Sequence, residues 1–434
     1  MSISTMFSDF LSNLAITNMD SISNRYGELT AVLNKKFRNT ESKTANTLQV
    51  GSFGRNTGVN GISDLDMLYT MPKTKWDDYK DNRQSKLLQD VRSAILDRYP
   101  RTDIRVDRCV VTVTYTDFHI EVQPVFEQDD MSYKYPDTKN GGSWKITKPR
   151  EEMSAIATMD NSKNGNLRSL CKMARAWKNK HGVNINGLLI DTLVYNYLGN
   201  TNEYDNSSFG SYDDLSRDFF EFLSNEPDKS YYLALGSNQQ VKVKEPFQKK
   251  SKKTYELCLE AIEAENSAIV NDKWKEIYGR PFPAHETINE SASFSKEVFY
   301  ISNKTEEYIE DQYPVDIHYS LKIDCEVKQN GFREHRLAWM LANRVPLLAK
   351  KSLSFFIDKT NVPCPYEVKW KVLNRGEEAV RRNCIRGQIL SDNGKKMRYE
   401  TTNFRGDHFV ECYIIKDGVV VAKDKIDVPI CSNG

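Results

Sequence analysis

Two aspartates separated by one residue, Asp64 and Asp66, stand near the end of the stretch "GSFGRNTGVNGISDLDML", Gly51 to Leu68. Carboxylates at i and i+2 of a strand point the same way. With a third acid from a neighbouring strand they can hold two hard cations about 4 Å apart for in-line displacement at phosphorus. The third acid is Glu121 in "HIEVQPVF", three residues before Pro124. Catalytic and metal-ligating roles are therefore expected of Asp64, Asp66 and Glu121, with Mg²⁺ or Mn²⁺ as the cofactor. Upstream, Gly51 and Ser52 offer backbone N–H groups and a hydroxyl to phosphate oxygens, and glycine permits the close backbone approach this needs. An Asp-x-Asp pair alone is common on surfaces; its conjunction with the Gly-Ser turn and Glu121 makes the pattern specific. The GxxxxGK[ST] spacing of a P-loop and the GxGxxG loop of a protein kinase are both absent from this segment.

The elements that must position these groups follow from periodicity. Ile22, Tyr26, Leu29, Leu33 and Phe37 recur at helical spacing and predict an amphipathic helix leading into the motif. "SDLDMLYTM" alternates, placing Leu65, Met67 and Tyr69 on one face and Asp64, Asp66 and Leu68 on the other. "CVVTVTYTDFHIEVQPVF" reads as a hairpin turning near Thr116 and Asp117, with Glu121 opposite in face to Ile120 and Val122. "NLRSLCKMARAWKNKHG" predicts a long helix capped at Gly182. Its residues Arg168, Lys172 and Arg175 form a basic stripe, either a solvated face or a triphosphate contact. The position after the acidic strands favours triphosphate binding by Lys172 and Arg175. His119 is expected to be structural. Trp144 is expected to pack, or to stack on a base.

The chain has 434 residues, 28% charged and 39% hydrophobic, which fits a globular protein of two or three domains. Its net charge of +1 says little in total. No apolar run approaches the ~18 residues of a membrane span, and the N-terminus lacks the features of a secretory signal, so a cytoplasmic location without membrane partners is expected. The eight cysteines are scattered without zinc spacing. "AHETINESASFSKEVFYISNKTEEYIEDQYP" reads as a linker, and the runs after it, broken by Asn-Gly, Asp-Gly and Arg-Gly, as an antiparallel sandwich or barrel. The expected division is a catalytic core with a helical lobe over 1–290, a linker over 291–313 and a β-rich domain over 314–434.

The quoted motif, "IEVQPVF" and "LRSLCKMARAWK" together resemble the DNA polymerase β-like nucleotidyltransferases, and among them the cGAS/DncV-like enzymes of the SMODS type. The segments "CIRGQILSDNG" and "NFRGDHFVECYIIKDGVVVAKDKIDVPI" resemble the AGS-C sensor domain. The resemblance implies an α+β fold, a mixed sheet packed on a helical lobe and followed by a β-rich sandwich-like domain. It implies an enzyme that joins NTPs, ATP and GTP foremost, into a cyclic di- or oligonucleotide second messenger, which acts on a separate effector in bacterial anti-phage (CBASS) defence. Three positions depart from the usual pattern: Glu121 for aspartate, Arg175 for lysine, and Gly187 where a phosphate-binding serine is frequent.

Two alternatives stay open. One is a nucleotidyltransferase that tails RNA or modifies a protein, since the acidic triad is common to all of these. The other is a nucleic-acid-binding sensor with ligand-dependent activity. Two basic clusters, Lys35, Lys36 and Arg38, and Lys249, Lys250, Lys252 and Lys253, could contact an activating RNA or be solvated surface charge. In the β-rich domain Tyr366, Trp370, Arg386 and His408 are the polar and aromatic residues of interest.

Overall fold

A computed structural model describes residues 2–61, 64–265, 267–284, 306–329, 332–382 and 384–431. They fall into two compact units, Met1–Thr287 and Ile288–Gly434. The expected boundary at 290 and the linker residues 291–305 lie outside the described residues.

The first unit is built on a mixed sheet in the order β1 (Thr47–Gln49), β2 (Asp64–Thr70), β5 (His119–Glu127), β4 (Val110–Thr114), β3 (Asp103–Asp107). Strands β6 (Tyr133–Asp137) and β7 (Ser143–Thr147) extend it from the C-terminal end of β5. Only β2 and β5 are parallel; the other described pairings are antiparallel. The β4–β5 hairpin turns where expected, with Tyr115 N–H donating to Phe118 O. Leu65, Met67, Tyr69, Ile120 and Val122 are buried against two helices, α2 (Met19–Arg38) and α5 (Gln84–Arg98), through Leu29, Leu33, Leu88 and Val91. Strand alternation then leaves Asp64, Asp66 and Glu121 on the other face. The short helices α3 (Gly51–Gly54) and α4 (Trp76–Tyr79) flank β2 in sequence.

A helical lobe completes the unit: α1 (Ile3–Asn13), α6 (Pro149–Ser162), α7 (Asn166–His181), α8 (Gly187–Gly199), α9 (Tyr212–Asn225), α10 (Gln248–Glu263) and α11 (Val270–Tyr278). A small hairpin, β8 (Tyr231–Leu233) and β9 (Gln240–Lys242), lies between α9 and α10 in sequence. The lobe's core is aromatic, with Phe7, Phe10, Trp177, Phe220, Trp274 and Tyr278 almost wholly excluded from solvent. Gly182 ends α7 in the left-handed region at φ +55, the C-cap its sequence predicts.

The second unit is a two-sheet sandwich. One sheet runs β11 (Phe332–Arg336), β10 (Leu321–Gln329), β13 (Ser352–Thr360), β16 (Met397–Thr401). The other runs β12 (Leu347–Leu348), β18 (Val419–Cys431), β17 (Gly406–Lys416), β14 (Glu367–Leu373), β15 (Arg386–Ser391). Ile323, Cys325 and Phe355 from the first sheet share a core with Trp370, Val410 and Cys412 from the second. Asp417 and Gly418, both at positive φ, close the β17–β18 hairpin. The Asn393-Gly394 turn instead carries the chain from one sheet to the other, because β15 pairs with β14 while β16 pairs with β13.

Candidate active site

The register of β2 on β5 sets Asp64 opposite His119 and Asp66 opposite Glu121, so the three expected acids meet on adjacent strands. Burial pushes the Asp66 carboxyl up to about 6, the charges of Glu121 and Asp64 add to the rise, and Arg55 opposes it. Glu121 is raised as well, by burial and then by Asp64. His119 Nε2 lies 3.7 Å from Glu121 Oε1. Among the described residues no three His, Cys, Asp or Glu side chains close into a metal cage. The acids form an open, all-oxygen set whose mutual repulsion a hard divalent cation would relieve, so the donor chemistry fits such an ion.

The Gly-Ser turn is pressed against this set. Gly51 sits at φ +65, and a Cβ there would fall 1.8 Å from Asp66 Oδ2. A Cβ on Gly54 would fall 2.2 Å from the carbonyl oxygen of Gln49. Val50 N–H donates to Asp66 O at 3.1 Å, and Thr57 and Gly58 N–H both donate to Ser52 O, at 2.9 and 3.0 Å. Glycine is required at Gly51 because only a bare backbone can adopt this conformation against the carboxylate.

The basic stripe of α7 faces inward. Arg175 is buried and donates to both oxygens of Asp191, at 2.6 and 3.0 Å, and to the carbonyls of Cys171 and Gly187. The nucleotide contact expected of Arg175 is not what these bonds describe, since the acceptors occupy both terminal nitrogens of its guanidinium. Arg168 stands 3.6 Å from the buried Asp160, whose carboxyl burial raises while Arg168 and Lys172 pull it down. Lys172, half-buried on the same helix, adds its charge to that effect on Asp160. A Cβ on Gly187 would lie 3.2 Å from Arg175 Nη2, so two of the three departures from the family pattern touch each other.

A cation whose charge Asp64 influences comes from a position the sequence reading passed over. Lys178, one turn beyond Arg175 on α7, is half-buried, and its ammonium is held below the ordinary lysine range by burial and by Arg175, while Asp64 pulls it upward and Lys244 downward. Lys178 therefore feels both Asp64 and Lys244, which follows β9. Spacing alone could have flagged Lys178, three residues after Arg175. Lys244 could not be placed without the fold.

The first nucleic-acid cluster is paired within the protein: Lys35 with Glu41 at 2.8 Å, Lys36 with Asp97 at 4.0 Å, and Arg38 donating to Thr70 O. In the second, Lys250 donates to the carbonyls of His181 and Gly182 at the C-terminus of α7, whereas Lys249, Lys252 and Lys253 are exposed. Trp144 packs on Trp76 and Phe126, and its indole N–H donates to Lys80 O.

In the second unit Trp370 is buried and donates to Asp392, and the Tyr366 hydroxyl accepts from Lys396. Arg386 and His408 both line a cavity of about 210 Å³. Arg386 is held there by two hydrogen bonds to Glu400, at 2.5 and 2.9 Å. His408 is held by Arg375 N–H at Nδ1 and by Phe404 O facing Nε2.

Residues 1–160 match the model of the Second Messenger Oligonucleotide or Dinucleotide Synthetase domain, and residues 303–431 that of the Adenylyl/Guanylyl and SMODS C-terminal sensor domain. A Bacillus cereus (strain VD146) protein named "Probable cyclic nucleotide synthase" is 22% identical over 54% of this chain and 82% of its own length. Among solved structures, the CdnC of E. coli MS115-1 in complex with HORMA-deltaN is 14% identical, covering 65% of this chain and 98% of that one at a TM-score of 0.49. Apo DncV of Vibrio cholerae is also 14% identical, covering 55% and 69% at a TM-score of 0.46.

Proposed function

We propose a reaction from this premise: the chain belongs to the Second Messenger Oligonucleotide or Dinucleotide Synthetase family and carries that family's C-terminal sensor domain. It is a nucleotidyltransferase that turns NTPs into a cyclic di- or oligonucleotide second messenger. A ribose hydroxyl of one nucleotide attacks the α-phosphorus of another, a P–O–P bond breaks, and pyrophosphate leaves with the electron pair. A second such transfer closes the ring. The observation that carries this reading is the β2–β5 register, which sets Asp66 opposite Glu121 with Asp64 two residues away.

Asp64, Asp66 and Glu121 would hold Mg²⁺ or Mn²⁺, which lowers the pKa of the attacking hydroxyl and neutralises charge on the triphosphate. The Gly51-Ser52 turn, lying against Asp66, presents backbone N–H groups and a hydroxyl to phosphate oxygens. Lys178 and Lys244 supply the positive charge that Arg175 does not. ATP and GTP are the substrates we assign first. The messenger acts on a separate effector in CBASS anti-phage defence, and an RNA activator, where used, is held by Lys249, Lys252 and Lys253.

Labelled ATP, GTP, CTP and UTP incubated with the protein and Mg²⁺ or Mn²⁺ should give a phosphatase-resistant product whose mass equals that of a ring of nucleoside monophosphates. A product with a free 3′ end growing on added RNA, or label on protein, would replace this reading with a tailing or protein-modifying enzyme. Equal turnover with and without added RNA would remove the activator.

A further inference from the structure

Asp191 on α8 has no exposed side-chain surface, and its carboxylate accepts four hydrogen bonds. Arg175 donates to both oxygens, at 2.6 and 3.0 Å, while Oδ2 also accepts from Arg55 Nε at 2.8 Å and Thr57 Oγ1 at 3.0 Å. Arg55 reaches on to Glu152 of α6 at 3.3 Å, and Ser237 donates to the other oxygen of Glu152 at 3.1 Å. Two guanidinium and two carboxylate groups are thus buried together. A buried ion cluster is weak evidence for stability, since well-packed apolar side chains often replace one at no loss. What it can do is fix geometry.

The geometry it fixes is that of the Gly-Ser turn. Arg55 and Thr57 follow the turn directly, and the N–H groups of Arg55, Thr57 and Gly58 fold back onto Gly51 O and Ser52 O. Holding those two side chains on α8 therefore sets how Gly51 lies on Asp66, where no side chain can intervene. We propose that Asp191 is a positioning residue: through Arg55 and Thr57 it locks the Gly51–Gly58 turn to the helical lobe, and so sets the site at which the nucleotide's phosphates are received. This rests on the reading of the acidic face as a nucleotidyltransfer site. Arg175 belongs to the lock, as the second guanidinium that keeps Asp191 ionised: burial acts to raise its carboxyl, but Arg175 and Arg55 outweigh it.

The test uses the full chain and Thr57→Val, which removes one donor to Asp191 and leaves both arginines in place, beside Asp191→Asn. Trp274→Phe, in the aromatic core of the lobe, is the destabilised control. For each, the melting midpoint, kcat and KM for ATP, and the affinity for a non-hydrolysable ATP analogue with Mg²⁺ are measured well below the melting range. Thr57→Val should weaken the analogue and raise KM roughly tenfold with a smaller change in kcat, in line with the cost of misplacing a substrate-positioning group. Trp274→Phe should melt lower and bind as the parent does. Parent-like analogue affinity in Thr57→Val, or equal weakening in Thr57→Val and Trp274→Phe, overturns the proposal. Should the parent itself form no nucleotide product while Thr57→Val still weakens the analogue, the function reading fails and the positioning role stands.

Discussion

Arg175 Nη2 lies 3.1 Å from the carbonyl oxygen of Gly187, and a Cβ on Gly187 would come within 3.2 Å of the same nitrogen. The guanidinium and the missing side chain therefore form one arrangement. Gly187→Ser should cost about 1–2 kcal/mol of stability, because the added atoms crowd a fixed buried group. In an Arg175→Lys background the shorter, single-headed ammonium leaves room, so the same substitution should cost less, with a coupling of about 1 kcal/mol in a double-mutant cycle by denaturant melting.

Asp64→Asn and Asp66→Asn should each cut product formation about a thousandfold or more, because on the proposed reading these carboxylates hold the divalent ion. Asp66→Asn should melt no lower than the parent. Burial and then the charges of Glu121 and Asp64 raise Asp66 toward about 6, outweighing Arg55, so an amide at that position relieves more cost than it removes attraction. Activity near the parent's in either variant would remove the metal assignment.

Lys178→Gln and Lys244→Gln should each raise KM for the NTP roughly tenfold with kcat changed less, since in the proposed role these cations would meet charge present in both substrate and transition state. Arg175→Ala should fail differently. It strips two of the four hydrogen bonds from the buried Asp191 and should cost about 3 kcal/mol in folding, read as a lower urea midpoint.

His408 gives a pH dependence. Burial lowers its pKa, with Phe404 O and Asp407 pulling the other way. Arg375 N–H already donates to Nδ1, so a proton added there would face a donor. With the folded pKa below the unfolded value of about 6.5, the unfolded chain takes up the proton first, so stability is full above about pH 6.5 and falls as the pH drops toward the folded pKa. Melting of the second unit should lose more between pH 7.5 and pH 5.5 in the parent than in His408→Gln.

The acids were legible because strand alternation and a Gly-Ser turn are local signals, and Asp64, Asp66 and Glu121 needed only one pairing to meet. The orientation of α7 was not. Arg168, Lys172 and Arg175 share a face at helical spacing, but spacing does not say whether that face meets solvent, substrate or the buried Asp160 and Asp191. The same holds for Lys35, Lys36 and Arg38, whose acceptors Glu41, Asp97 and Thr70 only the fold brings near. In the second unit β10 and β13 went unread, lying before the run of Gly-punctuated strands that announces a sandwich.

Asp191 touches Arg55 and Thr57 across more than 130 residues of sequence. Anyone recombining relatives of this protein to change its choice of base would be inclined to exchange the helical lobe and keep the acidic strands. Such a hybrid would separate Asp191 from the turn it secures. The crossover that preserves the catalytic surface is one that carries residues 51–58 together with 175, 187 and 191, as a single inherited block.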